Sequence, residues 1–272
     1  MSSSIHTRQS AQRSAYPDFA YDGNGTKARI GLIFMASSIV MESEMWAMAA
    51  EGVAIHTTRI KLPKVTVEGI EEMMNAPELE RAAQLLGSAP IDLLCFGGTS
   101  ASFLRGTAYD HALIEKLKRW APGPRITTAS TATLAALAEV KAGTVALATP
   151  YVGEIHQRAI RFLEENGHKV VNSHNLSIDT DQALAEVPPE QVYDLVRSVD
   201  TDEASAIFIS CTNFWSVAVI EALEKELGKP VISAVQASFW HSLEVLDVNG
   251  AKPGYGSLFK RRLAVNQPTG AT

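Results

Sequence analysis

Two short segments of the chain repeat one chemical pattern, with a single change between them. The first is Leu94-Cys95-Phe96-Gly97-Gly98-Thr99-Ser100 and the second is Ile207-Phe208-Ile209-Ser210-Cys211-Thr212-Asn213. Each runs from an apolar, strand-like stretch through a small residue to Thr, then Ser or Asn, then a helix-like stretch. The key position is Gly98 in one copy and Cys211 in the other. Two opposed cysteines would move protons between the two faces of a carbon, whereas one cysteine protonates one face only. Cys211 should end a buried strand just before a helix, where peptide N–H groups and the helix dipole favour a thiolate. A protonating acid needs the thiol instead, so apolar burial must balance that environment.

Gly97 and Gly98 allow a close backbone approach to a ligand. Thr99 and Ser100 add hydroxyl and N–H donors at one point, suited to an oxyanion or enediolate. The same two residues suit a helix N-cap, and an N-cap facing an open cleft is itself an anion site. Tyr151 follows Pro150 at a strand end and is a further ligand-facing candidate; a buried structural tyrosine is the other reading. Cys95 lies inside its strand and reads as a small core hydrophobe. If it leaned into the cleft it would replace the missing thiol. Thr128, Ser130 and Thr131 begin a helix, and capping alone explains them.

These residues need elements to carry them. Apolar strand patterns are read at 30–34, 52–58, 91–96, 144–148, 169–171, 206–210 and 230–233. Helix patterns are read between them at 42–51, 67–86, 111–120, 129–138, 154–166, 188–198, 217–227 and 237–246. Continuous apolar strands alternating with amphipathic helices predict parallel sheets covered on both faces. The breakers Pro122, Gly123 and Pro124 divide the pattern into two similar halves. The fold class is therefore α/β, with two pseudo-symmetric Rossmann-like lobes and a cleft between them. Boundaries are expected at 1–27 for a disordered N-terminal tail, 28–121 for the first lobe and 122–235 for the second. Residues 236–272 should form a C-terminal helix and tail returning to the first lobe. In open parallel sheets ligands sit beyond the carboxyl ends of the strands, where the Gly98 and Cys211 corners fall.

Composition sets the outer bounds. The chain has 272 residues, 46% hydrophobic and 20% charged, with a net charge of −6. That is ordinary globular composition, with no basic cluster to favour nucleic acid. No apolar run reaches membrane-helix length, and the N-terminus lacks a signal-peptide core. Two cysteines are too few for a disulfide framework, so a reduced cytoplasmic protein is expected. The His residues lack metal-ligand spacing, and there is no Gly-rich dinucleotide fingerprint or phosphate loop. No metal and no cofactor are expected. The partner should be a small carboxylic acid, with neither nucleic acid nor membrane involved, and the chain a monomer or homodimer.

At these residues the chain resembles the aspartate/glutamate racemase superfamily, in the branch of arylmalonate decarboxylase and maleate cis-trans isomerase. The decarboxylase-like pieces are Gly98-Thr99-Ser100-Ala101-Ser102-Phe103-Leu104-Arg105-Gly106, Leu147-Ala148-Thr149-Pro150-Tyr151 and Lys252-Pro253-Gly254-Tyr255-Gly256. The isomerase-like pieces are Val40-Met41-Glu42-Ser43-Glu44, Ser210-Cys211-Thr212-Asn213 and Gln236-Ala237-Ser238-Phe239-Trp240. The resemblance implies a cysteine in each lobe for most members. It implies Gly at the first position, as at Gly98, for the decarboxylase. Cys211 would then protonate an enediolate after CO₂ leaves, with Gly98, Thr99, Ser100, Tyr151 and Thr212 cradling the retained carboxylate.

The resemblance also implies a pocket of Met35, Ile39, Leu62, Val65, Asp181 and Leu184. Leu62, Val65 and Leu184 match an apolar wall that desolvates the departing carboxylate. Asp181 stands where the decarboxylase has an apolar residue, and its charge would repel a dicarboxylate or shrink the pocket. Ile39 stands where maleate isomerases hold substrate with Asn. The expected activity is cofactor-free decarboxylation of a malonate-type, 2-substituted dicarboxylic acid. The alternatives are a maleate isomerase or Asp/Glu-type racemase, which needs a second acid opposite Cys211, and an inactive small-acid binder.

Overall fold

The computed structural model describes residues 23–249 and 251–260. The tail expected at 1–27 lies outside them as far as residue 22. Two four-stranded parallel sheets carry the fold. The first contains β1 (Ala28–Met35), β2 (Val53–Ile60), β3 (Leu93–Phe96) and β4 (Arg125–Thr128), in the order β2-β1-β3-β4. The second contains β5 (Thr144–Tyr151), β6 (Lys169–Ile178), β7 (Ala206–Ile209) and β8 (Val231–Ser233), in the order β6-β5-β7-β8. The two orders are identical once the second set is renumbered by four. The α/β class with two pseudo-symmetric lobes is thus what the chain adopts. Strands β3 and β7 are buried along their whole length, as parallel strands covered on both faces must be.

Helices fill the crossovers. In the first half they are α1 (Met41–Met48), α2 (Val67–Asn75), α3 (Pro77–Gly87), α4 (Thr99–Ser102), α5 (Thr107–Trp120) and α6 (Ala129–Glu139). In the second half they are α7 (Gly153–Glu165), α8 (Asp181–Glu186), α9 (Pro189–Val199), α10 (Val217–Leu227) and α11 (Ala234–Leu246). The single helix read at 67–86 is two, because Ala76 precedes a proline and is extended, with ψ 146°. Steric conflict with the proline ring disfavours a helical residue there.

The division expected at residue 122 comes one strand early. Strand β4 follows the breakers yet pairs with β3, so it belongs to the first sheet. Its four residues, two of them Thr, are too short and polar to give a strand signal. The chain reaches the second sheet through α6.

The two lobes end their last strands alike. Thr128 after β4 caps α6, its hydroxyl accepting from the Thr131 N–H at 3.0 Å. Ser233 after β8 caps α11, accepting from the Gln236 N–H at 3.1 Å and forming a full capping box. Both caps are the Ser/Thr type that satisfies orphan N–H groups. Helix α11 packs on α1, α6, β3 and β4, on the first-lobe side. The segment Lys252-Pro253-Gly254-Tyr255-Gly256 docks there too. The Tyr255 hydroxyl donates to the Ala47 carbonyl at 2.9 Å, and Gln236 Nε2 donates to the Tyr255 carbonyl at 2.7 Å. Among the described residues no helix is long and apolar enough to cross a membrane.

Candidate active site

Gly98 lies two residues beyond the end of β3, and Cys211 lies two residues beyond the end of β7. The pseudo-symmetry therefore makes them equivalent positions. They meet in one cleft lined by Met35, Leu62, Val65, Gly98, Thr99, Ser100, Tyr151, Asp181, Leu184, Cys211, Thr212 and Asn213. The cleft is small, about 260 Å³ with its open mouth included. Every site residue expected from the sequence is brought together here except Ile39. That residue turns outward and is 59% exposed. Its backbone N–H, not its side chain, faces inward and donates to Asn213 Oδ1 at 3.2 Å.

Cys211 is 4% exposed. Its sulfur accepts a hydrogen bond from the Asn213 N–H at 3.3 Å. Helix α10 begins only at Val217, so the expected helix dipole does not act directly on the thiol. Burial dominates instead and pushes the thiol up to about 12, helped by the negative Asp181 nearby and opposed by the N–H groups of Asn213 and Thr212 and by Tyr151. The side chain is therefore held as a proton-bearing thiol. Cys95 is fully buried in β3, beside the hydroxyls of Ser242 and Ser238 on α11. It lies under that helix and is not part of the cleft lining.

The first-lobe corner offers donors. Gly98 itself is the N-cap residue of α4, with φ −112°, so neither Thr99 nor Ser100 is used as a cap. The hydroxyls of Thr99 and Ser210 are buried beside the Tyr151 hydroxyl, neither making a hydrogen bond of ordinary length. Underbonded buried hydroxyls are costly, and the Thr99 residue lines the cleft. Tyr151, 2% exposed, has its hydroxyl beside Ser210, Cys211 and Thr99, and burial raises it well above the ordinary tyrosine range. It stays neutral and a donor. Its ring is backed edge-on by Phe103, centroids 6.4 Å apart. Gly98 brings no thiol to its side of the cleft. A Cβ added there would lie 2.8 Å from the Phe96 ring and 3.1 Å from Met35 Cε.

Thr212 is used differently from the expectation. Its hydroxyl donates to the Gly97 carbonyl at 2.6 Å, tying the second-lobe corner to the first. It is a clamp, not a free carboxylate donor. Asn213, which sequence reasoning left without a role, is a second clamp. Its Oδ1 accepts from the Ser38 hydroxyl at 3.0 Å and its Nδ2 donates to the Asp181 carbonyl at 2.6 Å. Its place as counterpart of Ser100 in the repeated corner was the available signal. Two more bonds close the lobes over the cleft. The Ser37 hydroxyl donates to Asp181 Oδ2 at 2.5 Å, and the Val65 N–H donates to the Asp179 carbonyl at 2.9 Å. Arg59 braces the loop that carries Ser37, donating to the carbonyls of Ala36 and Ser38.

Glu44 joins the lobes from behind. Its Oε1 accepts from the Ser216 and Val217 N–H groups at 3.0 and 2.9 Å, at the start of α10. Its other oxygen is buried without a partner, and burial raises the carboxyl to about 8 against those two bonds. Thr128 and Thr131 donate to Asp110 at 2.6 Å each, fastening α6 to α5. They serve the fold, as does Ser130, which bonds Ser102.

Residues 30–259 match the family model for arylmalonate decarboxylase. Arylmalonate decarboxylase of Bordetella bronchiseptica is 34% identical over 202 residues, covering 73% of this chain and 82% of that protein. Maleate isomerase of Nocardia farcinica is 29% identical over 246 residues, covering 87% of this chain and 97% of that one. Among solved structures, the chain is similar to a Gly-to-Cys, Cys-to-Ser double mutant of arylmalonate decarboxylase in the liganded form. That likeness has a TM-score of 0.80 at 28% identity and covers 86% of this chain and 99% of the other.

Proposed function

The chain belongs to the arylmalonate decarboxylase family, and from that premise we propose that it is a cofactor-free decarboxylase of a malonate-type, 2-substituted dicarboxylic acid. The observation that carries this reading is the unequal pair of strand ends: a buried, protonated thiol at Cys211 and no side chain at Gly98. The retained carboxylate is held by Thr99, Ser100, Tyr151 and the backbone N–H groups of the Gly98 corner. The departing carboxylate lies against Leu62, Val65, Leu184 and Met35, where water cannot solvate its charge. The bond to that carboxyl carbon breaks, CO₂ leaves, and the electron pair spreads onto the retained carboxylate as an enediolate. The donors of the cradle are worth most at that moment, when charge has accumulated on its oxygens. The Cys211 S–H then gives its proton to carbon, and solvent returns a proton to the thiolate.

The relatives that are maleate isomerases supply the second reading. It needs a nucleophile or acid opposite Cys211; Gly98 offers none, and Cys95 is packed beneath α11. The reading is tested by a panel of substituted malonates, maleate and amino acids, followed for CO₂ release, fumarate and deuterium exchange in D₂O. CO₂ from malonates without fumarate is the expected result. Fumarate from maleate without CO₂ release would replace the decarboxylase with the isomerase.

A further inference from the structure

Asp181 helps to close the lobes through Ser37, yet it also places a carboxylate in the cleft lining, which the mechanism above does not use. It is 4% exposed and sits in a wall otherwise made of Met35, Leu62, Val65 and Leu184. Its side chain meets the Ser37 hydroxyl at 2.5 Å and neighbours Asn213. No Lys, Arg or His among the described residues forms an ion pair with it. Buried carboxylates are ordinarily paired with a cation or several donors. This one is held by hydroxyl and amide donors with no cation beside it, and it lines the space where a ligand must sit.

We infer that Asp181 selects the substrate's substituent: the diacid carries a group bearing a hydrogen-bond donor, hydroxyl or ammonium, directed at Asp181. The inference rests on the decarboxylase reading for the rest of the substrate. The α-carbon presents two carboxylates and one substituent. The cradle takes the retained carboxylate. A second carboxylate in direct contact with Asp181 would set two like charges side by side, so the departing one keeps to the apolar members of the wall, Leu62 and Val65. The substituent is left facing Asp181. A hydroxyl or ammonium gives the Asp181 carboxylate a further donor inside the cleft.

The test compares hydroxymalonate and aminomalonate with methylmalonate and phenylmalonate, in the parent protein and in Asp181→Asn and Asp181→Leu. Both kcat/KM for CO₂ release and Kd by calorimetry are measured. The parent should prefer the donor-bearing pair at least roughly tenfold in both readouts, because a site built around a hydrogen bond rejects the analogue lacking it. Asp181→Leu should reverse the order. Asp181→Asn, which keeps an acceptor for Ser37, should lose preference for aminomalonate more than for hydroxymalonate. A parent that favours methyl or phenyl substituents, or a Leu variant with an unchanged ratio, overturns the inference. Binding with the expected preference but no CO₂ from any diacid supports the Asp181 assignment and overturns the decarboxylase reading. Binding of none of the four overturns both.

Discussion

Cys211 is the residue on which the proposed reaction turns, and its surroundings set its protonation. The N–H of Asn213 draws the thiol down and burial drives it up, and burial wins. Cys211→Ser should lower turnover by about 10²- to 10⁴-fold, the usual range for a lost general acid, with an unchanged circular dichroism spectrum. A serine variant at full rate would exclude the thiol as the proton donor. Thr99 allows a sharper separation of fold from function. Its hydroxyl is buried without a hydrogen bond of ordinary length, so Thr99→Val should leave Tm unchanged or raise it slightly. The same change should cost about 10²- to 10³-fold in kcat if the hydroxyl holds the enediolate. A Thr99→Val protein that is less stable but equally active would make the hydroxyl structural. At this scale the sequence was informative where residue type alone decides: the repeated corners put Cys211, Gly98, Thr99 and Ser100 in one cleft, and the strand end at Pro150 adds Tyr151. It was silent where side-chain direction decides. Ile39 turns out to solvent and Thr212 turns to Gly97, because no periodicity governs side chains in loops.

Among the elements, α10 is held by an unusual cap. The Glu44 carboxylate of α1 accepts the first N–H groups of α10 across the lobe boundary, a favourable place for negative charge. Burial outweighs that attraction, and the carboxyl keeps its proton until about pH 8. The sign follows directly. Below about pH 4.5 Glu44 is protonated folded or unfolded. Between that value and about 8 the unfolded chain has lost the proton while the folded one retains it, so stability falls as pH rises. Glu44→Gln keeps an acceptor for α10 and cannot ionise. Relative to the parent, it should gain on the order of 1–4 kcal/mol between pH 5 and pH 9, read from paired thermal unfolding across that range. A constant difference between the two proteins over the range would mean Glu44 does not hold its proton on folding. The strands of both sheets except β4 were legible as apolar runs, even the three-residue β8. Strand β4 was not, because Arg125 and two threonines leave it no apolar run, and the four-residue α4 and six-residue α8 are too short to show a helical period. The position of Glu44 lay within a quoted motif, but its partner is 172 residues away. Only the packing of α1 against the second lobe brings the two together.

For the whole molecule, the matching strand orders β2-β1-β3-β4 and β6-β5-β7-β8 were anticipated by the repeat of strand and helix patterns. The hydrogen bonds that join the lobes were not, because each links residues far apart in the chain. Those bonds, Thr212 to Gly97 and Asn213 to Ser38 among them, keep the two strand ends aimed at a shared point. In the proposed reaction a planar intermediate between them would have one face toward Cys211 and the other toward Gly98. Exchanging the residues, as Gly98→Cys with Cys211→Ser, should move the proton donor to the other side. The rate should fall, since a Cβ at Gly98 meets the Phe96 ring at 2.8 Å and that ring must shift. The two enzymes are then expected to make mirror-image acids from one substrate, which chiral chromatography would reveal; a product of unchanged configuration would mean that Gly98 does not face Cys211 across the intermediate. In a fold that is nearly its own twofold copy, the proposed reaction would record the handedness of its product by nothing more than which half keeps the sulfur.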